Sequence, residues 1–158
     1  MPKRYWLFKS EPSEFSIDDL AHSPGQTAPW SGVRNYQSRN TLRDLVQVGD
    51  EVLFYHSSTD VVGVAGIAEV VRSGYPDHTA RDRTNPYFDP KATEQNPIWF
   101  MVDVKFKLKL PDVIPLAVLR QTKGLEKMMV CQKGSRLSIQ PVTAKEWGVI
   151  QKLSRQLD

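Results

Sequence analysis

The sequence has little of what metal and disulfide sites are built from. Cys131 is its one cysteine, which excludes an internal disulfide framework and a cysteine-rich zinc site. The three histidines, His22, His56 and His78, are widely spaced, and none shares a helical ligand spacing with another and a carboxylate. No apolar run approaches the ~18 residues of a spanning helix, and Met1 to Trp6 lacks the apolar stretch of a secretion signal. A cytoplasmic protein with no membrane contact is therefore expected. Glycine is sparse where phosphate chemistry would need it. Gly63 and Gly66 sit in an apolar run, and Gly134-Ser135-Arg136 lacks the further glycines and the lysine of a phosphate loop. Neither a dinucleotide fingerprint nor any cofactor is expected.

What is present fits one globular domain over residues 1–158. Apolar residues make up 40% and charged residues 25%, an ordinary balance for a folded chain. The net charge of +3 hides an asymmetry. Residues 1–104 hold 10 basic and 14 acidic side chains, whereas residues 105–158 hold 11 and 4. A basic end can attract a polyanion, and nucleic acid is the commonest one.

The periodicity suggests an opening strand around Lys3 to Lys9 and a short helix in Ser13 to Ser23 capped by Ser16. Gly25 to Gly32 reads as loop. Asn35 to Val48 reads as a helix with Tyr36, Leu42, Leu45 and Val46 inward. Glu51 to His56 is a strand with Val52 and Phe54 on one face. Val61 to Val71 reads as a central strand in which Gly63 and Gly66 mark a bulge or close approach. Ile98 to Leu110 alternates strictly, with even positions apolar, and predicts a long strand bending around a barrel or sandwich. Lys105, Lys107 and Lys109 share its other side. Pro115 to Gln121 suggests a helical turn, and Met128 to Cys131 and Leu137 to Ile139 suggest short strands. Thr143 with Glu146 forms a capping box for a last helix carrying Trp147, Ile150, Leu153 and Leu157. No βαβ alternation occurs, so the expectation is an α+β fold with a mainly antiparallel, barrel-like sheet. No long exposed apolar helix calls for a partner chain, and a monomer is expected.

Three chemistries compete. His56-Ser57-Ser58 with Asp60 has the residue types of a nucleophilic triad, yet neighbours on a strand face opposite ways. Cys131 lies in an apolar segment where a thiol is usually just buried. The third is a pocket for a planar ring. Trp30 to Tyr36 places an indole, a turn, a guanidinium and an amide at the entry to a helix. Tyr55 to Ser58 and Gly134 to Ser138 add aromatic, hydroxyl and guanidinium groups. Flat bases stack on such rings while amides and hydroxyls read their edges. A structural reading stands beside it, with Trp30 in the core and Arg34 capping a helix or paired to Asp44, and the residues alone do not choose.

The motifs Tyr5 to Pro12, Trp30 to Asn35, Val52 to Ser57, Gly66 to Val70, Tyr75 to Asp77, Tyr87 to Lys91 and Gly134 to Val142, in this order, resemble the EVE domain family. The resemblance runs from about residue 2 to residue 154. It implies a PUA-like pseudo-barrel with flanking helices, shared with YTH domains, and binding of a modified base in DNA, notably a modified cytosine, or in RNA. It implies extrusion of one base into a pocket and no reaction; a small hydrolase or a nucleotide or anion sensor is the alternative. Carried over by position, Trp30 would be the ring or pocket wall, and Val33, Arg34 and Asn35 its rim. Tyr55, His56 and Ser57 would form a second wall, Arg136, Leu137 and Ser138 a third, and Tyr75 would cover the entrance. Lys105, Lys107 and Lys109 are a candidate track for the phosphate backbone.

Overall fold

Two hydrophobic layers, one on each face of a single sheet, follow from how the strands are written. In Tyr5–Ser10 (β1) and Glu51–His56 (β3) the central residues are apolar without alternation, and all are buried. Successive side chains point to opposite faces, so each strand feeds two cores. Trp6, Phe8, Val52 and Phe54 enter one; Leu7, Leu53 and Tyr55 enter the other. The computed structural model describes residues 2–157.

The remaining strands are Thr27–Pro29 (β2), Gly63–Pro76 (β4), Phe100–Pro115 (β5) and Ile139–Val142 (β6). They form a six-stranded sheet in the order β2-β5-β4-β3-β1-β6. β1 and β3 run parallel, and the other pairs are antiparallel. The helices are Ile17–Ala21 (α1), Tyr36–Asp44 (α2), Leu116–Gln121 (α3) and Ala144–Arg155 (α4). α1 and α2 supply the first core with Ile17, Leu20 and Leu42. α3 and α4 supply the second with Leu119, Trp147 and Ile150. The fold is α+β and mainly antiparallel, as expected, but the sheet stays open, with β2 and β6 as its edges.

Several local expectations hold for the reasons given. Ser16 caps α1 in a reciprocal box with Asp19, and Thr143 does the same for α4 with Glu146. Thr143→Ala is expected to cost about 1 kcal/mol, read as a lowered urea midpoint at unchanged m-value. An unchanged midpoint would count against the cap. Gly66 lies where β4 and β5 shift register, and a Cβ there would meet the Leu108 carbonyl oxygen at 2.5 Å. The close approach is why β4 carries glycine there.

Other expectations change. Part of the loop expected after Gly25 is β2, an edge strand on β5. Met129–Cys131 is a 3-10 turn, not a strand. Tyr36 and Leu45 face solvent, whereas Leu42 and Val46 are fully buried. The alternation of β5 does not translate directly into two faces. The β4–β5 ladder shifts register four times, and each bulge re-aims the side chains beyond it. Met101 and the preceding Trp99 are thus buried, and Leu108 is exposed.

Candidate functional site

A cavity of about 540 Å³ opens between the end of β1, the turn before α1, the β2–α2 loop and the loop before β6. Its floor is built from the strand outward. The Trp30 backbone N–H donates to the Val102 carbonyl at 2.7 Å and continues the β2–β5 pairing by one residue. That contact turns the indole into the first core, where Phe8 and Phe54 lie 5.2 and 5.3 Å away and Phe15 lies edge-on at 6.4 Å. Trp30 is only 7% exposed, and both it and Phe15 line the cavity. The residue thus belongs both to the core and to the cavity lining.

The β2–α2 loop is held from behind by Asp77. Its buried carboxylate accepts the Gly32 N–H at 2.8 Å, the Arg34 guanidinium at 3.1 Å and the Thr79 N–H at 2.8 Å. Burial alone would raise the Asp77 pKa, but the hydrogen bonds from Thr79, Gly32 and Arg34 outweigh it and hold the carboxyl below its usual range. Gly32 has φ +83, and a Cβ there would meet the Tyr87 ring at 2.7 Å, so the position requires glycine. Tyr87 packs on it and forms a wall that the sequence reading left without a role. Arg34 also donates to the Val33 and Tyr87 carbonyls and to the Thr79 hydroxyl. Its donors are spent on the loop, and it has no ion pair with Asp44, which Arg43 takes instead. Val33 is buried in the lining. The Asn35 side chain accepts the Ser38 N–H at 2.9 Å as the N-cap of α2.

The opposite wall is the turn before β6. Lys9 donates its backbone N–H to the Ser138 carbonyl at 2.8 Å and its Nζ to the Ser135 carbonyl at 3.2 Å. Gln140 holds the same turn through the Ser135 hydroxyl and the Leu137 carbonyl. Arg136 and Ser138 then face the cavity, joined by Ser57 after β3. Burial lowers the Lys9 pKa. Glu11 and Glu14 complete the rim, so the mouth carries both signs of charge, a mixture that hydrogen-bonds a polar ring edge.

The structure brings together Trp30, Val33, Arg34, Asn35, Ser57, Arg136 and Ser138. It separates the others. Tyr55 points into the second core, 3% exposed, because it follows Phe54 on a strand buried on both faces. His56 lies under α1 and accepts the Ile17 N–H through Nε2 at 3.1 Å, while burial pushes its pKa down. Its neutral ring is engaged there and is not bonded to Ser57. Tyr75 donates to Asp103, and burial and that carboxylate raise its pKa to about 12. It covers no entrance; Asp77 is the residue of its motif that serves the cavity. Leu137 lines a second, mostly apolar cavity between α2 and β6. Lys107 and Lys109 form ion pairs with Glu51 and Asp18, leaving Lys105 as the exposed lysine of the three without one among the described residues. Cys131 is half-buried, and burial raises its thiol pKa, which keeps it protonated and a poor nucleophile. Among the described residues no cluster could hold a metal ion.

Comparison with known proteins adds to this geometry. The EVE domain pattern matches residues 4–153. Thymocyte nuclear protein 1 of Homo sapiens is 43% identical over 168 residues, spanning 96% of this chain and 74% of that protein. The crystal structure of the human THYN1 protein in complex with 5-methylcytosine-containing DNA superposes with a TM-score of 0.89. It is 42% identical, with 96% of this chain and 98% of that one covered. The YTH domain of Zygosaccharomyces rouxii MRB1, in complex with N6-methyladenosine RNA, shares the fold at a TM-score of 0.57. Its identity is 17%, and 99% and 89% of the two chains are covered. The likeness at that identity is one of fold alone, and it bears out the PUA-like architecture.

Proposed function

The chain belongs to the EVE domain family, and from that premise we propose that it is a non-catalytic reader of a modified nucleobase, a modified cytosine in DNA first of all. One base leaves its stack and enters the cavity over Trp30. The observation that carries this reading is the floor: an indole locked by three phenylalanines at one side of a space of about 540 Å³. Small-ligand sites have this size, and a rigid ring meets a flat base with little loss of rotamer freedom. The human relative at 42% identity, solved with 5-methylcytosine-containing DNA, supports the choice of ligand.

The roles follow from what each side chain still has to offer. Trp30 and Phe15 supply the apolar contact that a methyl group on the base would increase. The Glu11 and Glu14 carboxylates can accept from an exocyclic amine, the donor that separates cytosine from thymine. Arg136, exposed at the mouth, is suited to a phosphate. Lys105 adds charge further out, while Lys107 and Lys109 would first have to release their carboxylates. Extrusion costs a few kcal/mol, least at an unpaired or mismatched position. Neither His56 nor Cys131 is placed for a reaction, since His56 is held by Ile17 and burial raises the Cys131 thiol pKa.

The test is a titration of single-stranded DNA and RNA oligonucleotides that differ in one 5-methylcytosine. Tighter binding of a methylated strand, with a difference that persists as salt rises, is expected. Equal affinity for all strands, lost alike with salt, would mean phosphate binding alone and would sink the reading.

A further inference from the structure

Tyr36 is the most exposed aromatic side chain among the described residues, at 59%. It stands at the start of α2, next in the chain to Asn35 of the cavity rim. One face of its ring is stacked on Trp99 at 4.8 Å, with the planes 22° apart. Trp99 is fixed in turn, 5% exposed and donating its indole N–H to Asp89 at 2.7 Å. The Arg34 guanidinium lies between Trp99 and Tyr87, 5.2 and 5.5 Å from the two rings. Arg39 lies 5.1 Å from the Tyr36 ring and 6.0 Å from that of Trp99. A continuous ladder therefore leads out of the cavity, Tyr87, Arg34, Trp99 and Tyr36, with Arg39 beside its last two rings.

Its inner rungs have structural employment. Arg34 and Tyr87 close the loop, and Trp99 fills the space behind it. The outer end does not need to look as it does. A ring that served only to cover Trp99 would be expected to lie beneath something, and its stacking uses one face. Arg39 donates to the Ile98 carbonyl and to Asn40. Neither is a carboxylate, and among the described residues Arg39 has no ion pair, although the Asp44 carboxylate that Arg43 holds one turn on also feels its charge.

We propose that Tyr36 and Arg39 form a second nucleotide subsite, in which an unpaired base adjacent to the one in the cavity stacks on Tyr36 and its phosphate meets Arg39. The inference rests on the base-reading role of the cavity. The chemistry is that of sequence-tolerant single-strand binding: every base has a flat face, and a ring backed by a fixed indole meets it without rearranging. Charge complementarity and continuity with the cavity rim both favour a nucleic-acid strand here. The ligand is then a stretch of at least two nucleotides, opened or single-stranded, rather than an isolated modified base.

The experiment compares a labelled single-stranded hexamer carrying one 5-methylcytosine, followed by fluorescence anisotropy, with free 5-methylcytidine, followed by chemical-shift titration. Each is measured on the wild type, Tyr36→Ala, Tyr36→Phe and Arg39→Gln. Tyr36→Ala is expected to weaken hexamer binding by about fivefold or more and to leave nucleoside binding unchanged, while Tyr36→Phe binds as the wild type. Arg39→Gln should weaken the hexamer and flatten its salt dependence. Hexamer binding unaffected by Tyr36→Ala overturns the subsite. So does an equal loss for hexamer and nucleoside, which would place Tyr36 in the shape of the cavity. If the wild type binds neither ligand, the base-reading role itself falls. Tyr36→Ala loses the stack on Trp99 and should melt slightly below the wild type, so binding is read at a temperature where every variant is folded.

Discussion

Trp30→Ala is expected to abolish modified-base discrimination and to destabilise the domain by about 3–5 kcal/mol. Both effects come from the same ring. Trp30 is 7% exposed and contacts Phe8, Phe15 and Phe54 in the first core. Its removal leaves a hole where a close-packed interior cannot easily collapse, because the three phenylalanines are held by β1, β3 and the turn before α1. Base stacking on such a ring is worth about 1–3 kcal/mol, so binding and stability must be separated. Trp30→Phe keeps an aromatic floor at lower volume and should retain more of both. Urea unfolding reads the stability, and binding is titrated at a temperature where each variant is folded. A folded Trp30→Ala protein that still prefers the methylated strand would remove the indole from the site.

Asp77→Ala is expected to cost about 3–5 kcal/mol and to loosen the β2–α2 loop, with a matching loss of affinity. The carboxylate is fully buried and holds four donors, the Gly32 and Thr79 N–H groups, the Thr79 hydroxyl and the Arg34 guanidinium. Deleting it leaves a guanidinium, a hydroxyl and two backbone N–H groups facing a void. Asp77→Asn keeps the volume, loses the charge, and should fall between. The pH dependence has a defined sign. Hydrogen bonding holds the folded pKa of Asp77 below its ordinary value. Its contribution is therefore present above the unfolded value of about 3.9 and disappears as pH falls through the folded pKa. Thermal melts of the wild type and Asp77→Asn should be well apart at neutral pH and converge in acid. Curves separated by the same amount at every pH would mean that the charge of Asp77 contributes nothing.

Legibility in the sequence tracked how local each cause was. Caps were readable because Ser16 and Asp19, or Thr143 and Glu146, lie three residues apart and satisfy each other. Glycine at 66 was readable as a bulge or a close approach because glycine weakens an apolar strand otherwise, and both occur there. Tyr36 is apolar enough to suggest an inward place, but it lies six residues before Leu42 and so off the buried face of α2, and the position of Trp99 against it depends on bulges far along the chain. The family resemblance implies a pocket wall for Tyr55 and His56. One is core and the other an acceptor for α1, since the layer on each face of β3 is set by other elements. The motif around Tyr75 was noticed for its aromatic residue, yet its neighbour Asp77 orders the site, through contacts 43 and 45 residues away in the chain.

By itself, then, the amino-acid order determined an α+β chain with most of its strands and helices, the absence of cysteine-rich zinc and phosphate-loop motifs, and the EVE motifs that place it in a family. Periodicity, capping and composition act over a few residues, and a linear sequence displays them. Tertiary structure decided which of the motif residues meet. It set Trp30 over the phenylalanines, turned Tyr55 away, occupied Lys107 and Lys109 with carboxylates, and lined up Arg34 and Tyr36 on Trp99. Those outcomes depend on the register and bulges of β4 and β5 and on loops closed over dozens of residues. Which partner satisfies a buried charge or an aromatic face follows from what the whole chain brings within reach.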